Sequence, residues 1–393
     1  MLSGRWDQLL HLFLYLIFVT FSLFLLQTIF PKLLLGHETI RIKRTAELPL
    51  RFRYDGTFKI LQVADMHYGN GIMTRCRDVL ASEFWRCSDV NTTQFLRRMI
   101  QAEKPDFVAF TGDNIFGPSA YDAAESLIEA FGPVMESGLP WAAVLGNHDQ
   151  ESTMSREEVM TFLSIMDYSI SQVNPSSDSP EVVRKAAHMD GFGNYNIKVH
   201  GASGSELANN SIFNLYFLDS GDRATVNGIR SYGWIKESQL RWLHSISDGF
   251  QLTQSPALAF FHIPIPEVRQ LWFKPIVGQF QEAVACSSFS SGVLDTLDSM
   301  GDVKAVFLGH DHKNDFCGEL KGIWFCYGGG FGYHGYGKVG WHRRSRVILA
   351  ELEKGETSWL GVGKIKTWKR LDDEKLSKLD EQILWERQRV DQH

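Results

Sequence analysis

An α/β fold is what this sequence predicts, on two observations: a recurring strand pattern and the helical segments that alternate with it. Five runs are each strand-length, apolar and closed abruptly by Asp, Asn or His. They are FKILQVAD (58–65), DFVAFTGD (106–113), WAAVLGNHD (141–149), ALAFFHIP (257–264) and KAVFLGHDH (304–312). Between them lie amphipathic stretches such as NTTQFLRRMIQAEKP (91–105) and YDAAESLIEAFGPVMESG (121–138). This is the β-α-β rhythm of α/β architecture, in which ligands bind at the carboxyl ends of strands.

The first element along the chain is apolar. Gln8 to Pro31 is a run of 24 residues without a formal charge. At about 1.5 Å per residue it crosses a hydrocarbon core of roughly 30 Å. It has no polar face, which argues against a buried core helix. Residues 1–36 therefore fit a cleaved signal peptide or an uncleaved signal anchor. The run exceeds the ~7–15 apolar residues of an ordinary signal peptide and no clear small-x-small cleavage site is present, so length favours the anchor. Lys32, Arg41, Lys43 and Arg44 follow the run and Arg5 alone precedes it. Positive-inside counting would keep the main domain cytosolic, although long domains translocate despite such charges.

Two other features favour the lumen. Asn91 and Asn209 begin glycosylation sequons. Cys317 and Cys326 flank the hairpin-like GELKGIWF, where a cross-strand disulfide is feasible; Cys76 and Cys87 can make a second, leaving Cys286 free. Five ordinary thiols is the alternative. The expected location is the secretory pathway, either secreted (extracellular or vacuolar) or luminal and membrane-anchored, with membrane contact only through residues 8–31 if they are retained.

Residues 37–55 are predicted to be a charged linker and 56–365 the main folded domain. Within it, 196–219 suggests two strands around a polar turn, and 322–350 adds strand signal with a glycine-dense loop, YGGGFGYHGYGKVGW (327–341). The tail, 366–393, is expected to be a charged amphipathic helix. The net charge of −6 removes the electrostatic case for nucleic acid.

A lone Asp at a strand end is commonly a helix cap, and a lone His after an apolar run a satisfied core histidine. Repetition changes that balance. Asp65 and His67, Asp113, Asn147 and His148, His262, and His310 with His312 all close strand-like runs. In extended chain, residues i and i+2 face one side, so Asp65 and His67 can converge, as can His310 and His312. Mixed carboxylate, amide and imidazole donors suit Fe, Zn or Mn and not a Cys-rich structural zinc site. Seven of these eight side chains, taken as donors, fit two ions sharing a carboxylate, at the ~3.5–4 Å separation of two-metal hydrolases.

The ordered set D-x-H, G-D-N, G-N-H-D, an isolated H and G-H-x-H, over about residues 57–350, resembles the calcineurin-like metallophosphoesterase superfamily. Its arrangement is similar to the plant purple-acid-phosphatase-related branch, whose short members are often labelled inactive, and to fungal phosphoprotein phosphatases. The resemblance implies a β-sandwich flanked by helices, with a metal pair at the strand ends. It would assign Asp65, His67 and His312 to one ion, and Asn147, His262 and His310 to the other, with Asp113 bridging. His148 would be the catalytic histidine beside the leaving oxygen, oriented by Asp149. Asn114 would position phosphate or cap its loop. His334, in a glycine-rich loop that either admits substrate or makes tight turns, is a substrate-side candidate. The implied reaction is attack of a metal-activated hydroxide on phosphorus, with His148 protonating the leaving group.

One departure is informative. Purple acid phosphatases carry D-x-G first and a tyrosine in the second motif that ligates ferric iron and gives colour. Here these positions are Asp65-Met66-His67 and Phe116, which cannot ligate. The expected colour is therefore absent, while every donor position is filled. An acid-phosphatase-like phosphomonoesterase is the first expectation. A phosphodiesterase or phosphoprotein phosphatase on the same site is the second, and a catalytically silent membrane-anchored metal-binding protein the third.

Overall fold

The computed structural model describes residues 3–34, 43–175, 189–250 and 255–388. It divides into two units, Met1–Ile42 and Lys43–His393. The first contains one helix, α1 (Ser3–Leu34), with a stretch from Leu10 to Gln27 long and apolar enough to cross a membrane.

The second unit starts earlier than the sequence suggests. Of the predicted linker, 37–42 lie outside the described residues, but from Lys43 onward the chain belongs to the folded unit. Lys43 Nζ donates to the Ser164 and Ser169 carbonyls at 2.7 and 2.9 Å. Strand β1 (Leu50–Arg51) pairs parallel with β5 (Tyr195–His200), and Leu50 and Phe52 are buried. Two apolar side chains in an otherwise charged stretch were enough to dock it.

All five apolar runs form strands: β2 (Thr57–Val63), β3 (Phe107–Thr111), β4 (Trp141–Val144), β9 (Ala257–Phe260) and β11 (Val303–Leu308). The 196–219 region gives β5 and β6 (Ser211–Phe217), antiparallel as expected. A small hairpin, β7 (Arg223–Val226) and β8 (Ile229–Tyr232), stands apart from the two large sheets. The remaining strands are β10 (Ile276–Val277), β12 (Cys317–Leu320), β13 (Ile323–Tyr327), β14 (Arg344–Lys354), β15 (Trp359–Leu371) and β16 (Lys378–Glu386). One sheet has eight strands in the order β1-β5-β6-β9-β11-β13-β12-β10, the other six in the order β16-β15-β14-β2-β3-β4.

The two sheets share one core. Phe58, Ile60 and Phe107 of the six-stranded sheet cluster with Phe213, Phe217, Phe260 and Phe307 of the eight-stranded one, and Phe107 meets Phe217 edge-on at 6.2 Å. Helices cover the outer faces. α2 (Asp89–Glu103) and α3 (Ala123–Ser137) bury Phe95 and Phe131 against the smaller sheet, with Phe131 4.5 Å from Phe110. α4 (Arg156–Ile165) follows β4, while α5 (Glu237–Phe250) and α6 (Val293–Met300) contribute Leu243 and Leu297 to the second core over the larger sheet. The result is a β-sandwich flanked by helices.

The C-terminal helix expected over 366–393 is not what forms. Residues up to Leu371 complete β15, and Lys378–Glu386 is β16, paired antiparallel to it; 389–393 lie outside the described residues. Helical charge spacing loses here to pairing with a neighbouring strand. Lys369 is fully buried and ion-paired to Asp315 at 2.7 Å and to Asp380 of β16 at 2.5 Å, which fixes the hairpin. The domain thus runs past 365, through β16.

Both feasible disulfides are formed, Cys76–Cys87 and Cys317–Cys326, and Cys286 is a buried free thiol. Cys317 and Cys326 are direct ladder partners between β12 and β13, so the hairpin itself brings them together.

Candidate metal centre

The loops after β2, β3, β4, β9 and β11 converge at one end of the sandwich, because parallel neighbours deliver their carboxyl ends to the same edge. Two clusters result: Asp65, His67 and His312, and Asp113, His262 and His310, all buried, with donor atoms in each within 4.8 Å of one another.

The backbone makes this convergence in an unusual way. Asp65, His67, Asp113 and His310 all have left-handed φ, at 59°, 47°, 48° and 79°. Non-glycine residues adopt this region rarely and at a cost of roughly 1–3 kcal/mol each. Extended alternation therefore is not what aims these side chains. Its expectation that His310 and His312 face one point is wrong: the turn at His310 sends them to different clusters.

Hydrogen bonds set the donor atoms. His262 Nδ1 is 2.8 Å from the Thr111 carbonyl and His312 Nδ1 2.7 Å from the Tyr336 carbonyl, which turns each Nε2 inward. Asp113 Oδ1 accepts the His148 N–H at 2.8 Å. Its other oxygen, Oδ2, lies 3.3 Å from His67 Nε2 and 3.2 Å from His262 Nε2, between the two clusters. The Asp65 carboxylate accepts the His310 N–H at 3.0 Å and lies 3.4 Å from His312 Nε2.

Three observations test whether cations fit. His67 Nε2 and His312 Nε2 face each other at 2.9 Å. The side-chain oxygen of buried Asn147 and Nε2 of His310 have no hydrogen-bond partner among the described residues, which is costly for buried polar atoms unless another group satisfies them. The electrostatics also suit ligation. Burial, then the neighbouring His312, holds His67 down near 4, and burial with His262 holds His310 near 3, so both imidazoles keep a free lone pair. Burial opposes the charge of Asp113, but His262 and His67 outweigh it and hold the carboxyl well below its ordinary range. His262 is the exception: despite burial, Asp113 and then Asp65 push it up to about 9, and a cation would have to displace that proton. The residues fit a binuclear metal site.

The cavity beside them has a volume of about 300 Å³ and is lined by His67, Asp113, Asn147, His148, His310 and His312 together with Arg77, Phe116, Tyr232, Ala285, Asp311 and Tyr336. Phe116 presents an apolar face to His67 and His148, with centroids 5.5 and 4.8 Å away.

His148 is in the cavity, but Asp149 does not orient it. The buried Asp149 carboxylate accepts the N–H groups of Asn114, Ile115 and Gly146 at 2.7–3.0 Å, and none of its hydrogen bonds reaches His148. It ties the second and third motif loops together. The partner of His148 Nδ1 is Glu151, with the Arg223 guanidinium lying 3.3–3.4 Å from the ring nitrogens and pairing with Glu151. Asn114 is likewise a loop residue: its Nδ2 donates to the Val144 carbonyl at 3.1 Å and toward Asp149 at 3.3 Å, so it caps the loop and does not reach into the cavity. His334 has both ring nitrogens engaged, Nδ1 2.7 Å from the Arg75 carbonyl and Nε2 3.0 Å from Ser119 Oγ, which leaves none for substrate. Sequence reasoning missed Glu151, Arg223, Arg77, Tyr232 and Tyr336. Glu151 had a signal, lying three residues after His148; the others lie in loops and a hairpin without a motif.

Residues 58–314 match the family described as calcineurin-like phosphoesterase. Among curated proteins, the chain is 62% identical over 388 residues to "Probable inactive purple acid phosphatase 28" of Arabidopsis thaliana, covering 98% of this chain and 97% of that protein. It is 34% identical over 332 residues to "Phosphatase DCR2" of Saccharomyces cerevisiae, covering 81% of this chain and 54% of that protein. Among solved structures, a dimetal phosphatase from Danio rerio superposes with a TM-score of 0.53 at 15% identity, covering 84% of this chain and 99% of that one, a likeness of fold. Sequence match and architecture agree: the chain belongs to the calcineurin-like phosphoesterase family.

Proposed function

We propose that this protein is a metal-dependent phosphomonoesterase of the secretory pathway. The observation that carries the reading is Asp113 Oδ2, set between two buried donor clusters while its other oxygen holds the backbone of His148. Two ions there, Fe/Zn or Mn, would supply an activated water and neutralise phosphoryl oxygens. Asp65, His67 and His312 would hold one ion; Asn147, His262 and His310 the other.

The chain's own residues do the rest. Glu151 accepts from His148 Nδ1, and the imidazolium form of His148 would give its Nε2 proton to the departing alkoxide, returning to the neutral ring. Phe116 and Tyr232 line the cavity, and the Phe116 ring lies against both His67 and His148. Phe116 in place of a tyrosinate supports a colourless site. The Arabidopsis relative is named inactive, yet here each donor position is filled and the cavity is open to solvent, which favours turnover over a silent site. The disulfides and the apolar N-terminal segment support secretory targeting.

Hydrolysis of p-nitrophenyl phosphate by purified protein supplied with Mn, Zn or Fe tests the reading. Expected results are chelator-sensitive turnover, about two ions per chain, no visible charge-transfer band, and lower activity on bis(p-nitrophenyl) phosphate. His148→Ala is expected to lose about 10²–10⁴-fold in kcat with metal retained, and Asp113→Ala to lose metal as well. Equal rates in wild type and both variants would sink it.

A further inference from the structure

We infer that Arg77 recognises a second negative charge on the substrate, so that this site prefers phosphoesters whose leaving group carries a carboxylate or another phosphate. The inference rests on the phosphoesterase reading and narrows it to a substrate class.

Arg77 lines the cavity, and its guanidinium lies 5.0 Å from the centroid of Phe116. The same ring touches His67 and His148, so the guanidinium sits about one aromatic ring beyond the reacting groups. A leaving group extending from the ester across Phe116 would end at this cation.

The carboxylates around Arg77 are already engaged, and Asp311, which lines the cavity, accepts the Tyr327 hydroxyl at 2.7 Å and the Ala285 N–H at 3.2 Å. Asp78, next in the chain, accepts the Gly337 N–H at 2.9 Å; Glu282 pairs with Lys313 at 3.3 Å and accepts the Tyr336 hydroxyl at 3.0 Å; Glu151 is held by His148 and Arg223. Among the described residues, the Arg77 guanidinium has no carboxylate or hydrogen-bond partner.

Its backbone is anchored on every side. The Arg77 N–H donates to the Tyr333 carbonyl at 2.8 Å, its carbonyl accepts from Arg343 Nη2 at 2.8 Å, and the preceding residue is disulfide-bonded Cys76. With the backbone fixed, the guanidinium projects over the Phe116 ring, where its planar fork can meet a carboxylate or phosphate.

The test compares 4-(carboxymethyl)phenyl phosphate with its carboxamide counterpart, two esters of one shape that differ in charge, on the full-length protein. Wild type is expected to favour the carboxylate in kcat/KM by about tenfold, as a charge-assisted hydrogen bond gives. Arg77→Gln should erase that preference and Arg77→Lys keep part of it. An unchanged preference in Arg77→Gln, or none in wild type, overturns the inference whatever the absolute rates. If wild type hydrolyses neither ester, the phosphoesterase reading fails by itself. The matching phosphonates, titrated calorimetrically into the same proteins, then report the preference as a ratio of Kd values, and equal Kd values overturn the role of Arg77.

Discussion

His148 illustrates how a single partner decides what a side chain can do. With Nδ1 against Glu151, its proton and orientation depend on a residue one turn further along. Glu151→Gln is expected to lower kcat about tenfold with KM little changed and two ions still bound; an unaltered kcat would remove Glu151 from the proposed mechanism. A second residue, Asp89, carries a pH signature. Burial pushes its carboxyl up to about 8, against the pull of the Gly69 N–H and Thr74. The folded state thus holds this proton more tightly than the unfolded state, so its stability contribution is full below about pH 4 and is lost as pH rises towards 8. Asp89→Asn should gain stability relative to wild type, on the order of 2 kcal/mol, between pH 5 and 9 by thermal or urea unfolding. The metal-donor residues were legible because His, Asp and Asn recur at strand ends. Asp149 and His334 were misjudged because hydrogen-bond partners in other loops, invisible in sequence, had already claimed their polar atoms; of the two readings open for Asn114, its hydrogen bonds match the loop cap.

Among elements, the turn after β4 is packed directly against the shared carboxylate. A Cβ at Gly146 would lie 2.1 Å from Asp113 Oδ1 and 2.3 Å from the Asp113 backbone nitrogen. Neither can yield without moving the shared carboxylate. Gly146→Ala is therefore expected to cut metal content below two ions per chain, measured by metal analysis, even where circular dichroism shows a folded protein. The strands were readable because each is a dense apolar run buried on both faces, which no helix-like periodicity disguises. β16 was not, since nearly all its side chains are exposed or half-exposed and its identity comes from the backbone of β15 and from buried Lys369. The β7–β8 hairpin was equally unreadable: four-residue strands with no apolar face to bury give no period to detect, yet they deliver Tyr232 to the cavity and Arg223 to His148 and Glu151.

The whole molecule separates the two sequons. Asn209 is exposed in the turn before β6. Asn91 lies in the first turn of α2, its Oδ1 accepting the Ser88 N–H at 3.1 Å, with Thr93 of the sequon buried. In protein made through the secretory pathway, Asn209→Gln should abolish the glycosidase mobility shift and Asn91→Gln leave it unchanged; a shift that survives Asn209→Gln contradicts this placement. The four donor residues with left-handed φ have a consequence for the molecule as a physical object. They form a loaded spring around the site, held in place by every hydrogen bond that crosses it. Ions that occupied the site would act as keystones of the fold, because they would favour the native state over the unfolded chain. Stripped of metal, the protein should melt at lower temperature, and its earliest hydrogen-exchange losses should fall in the loops around residues 65–67, 113 and 310, far from the edges where proteins ordinarily fray.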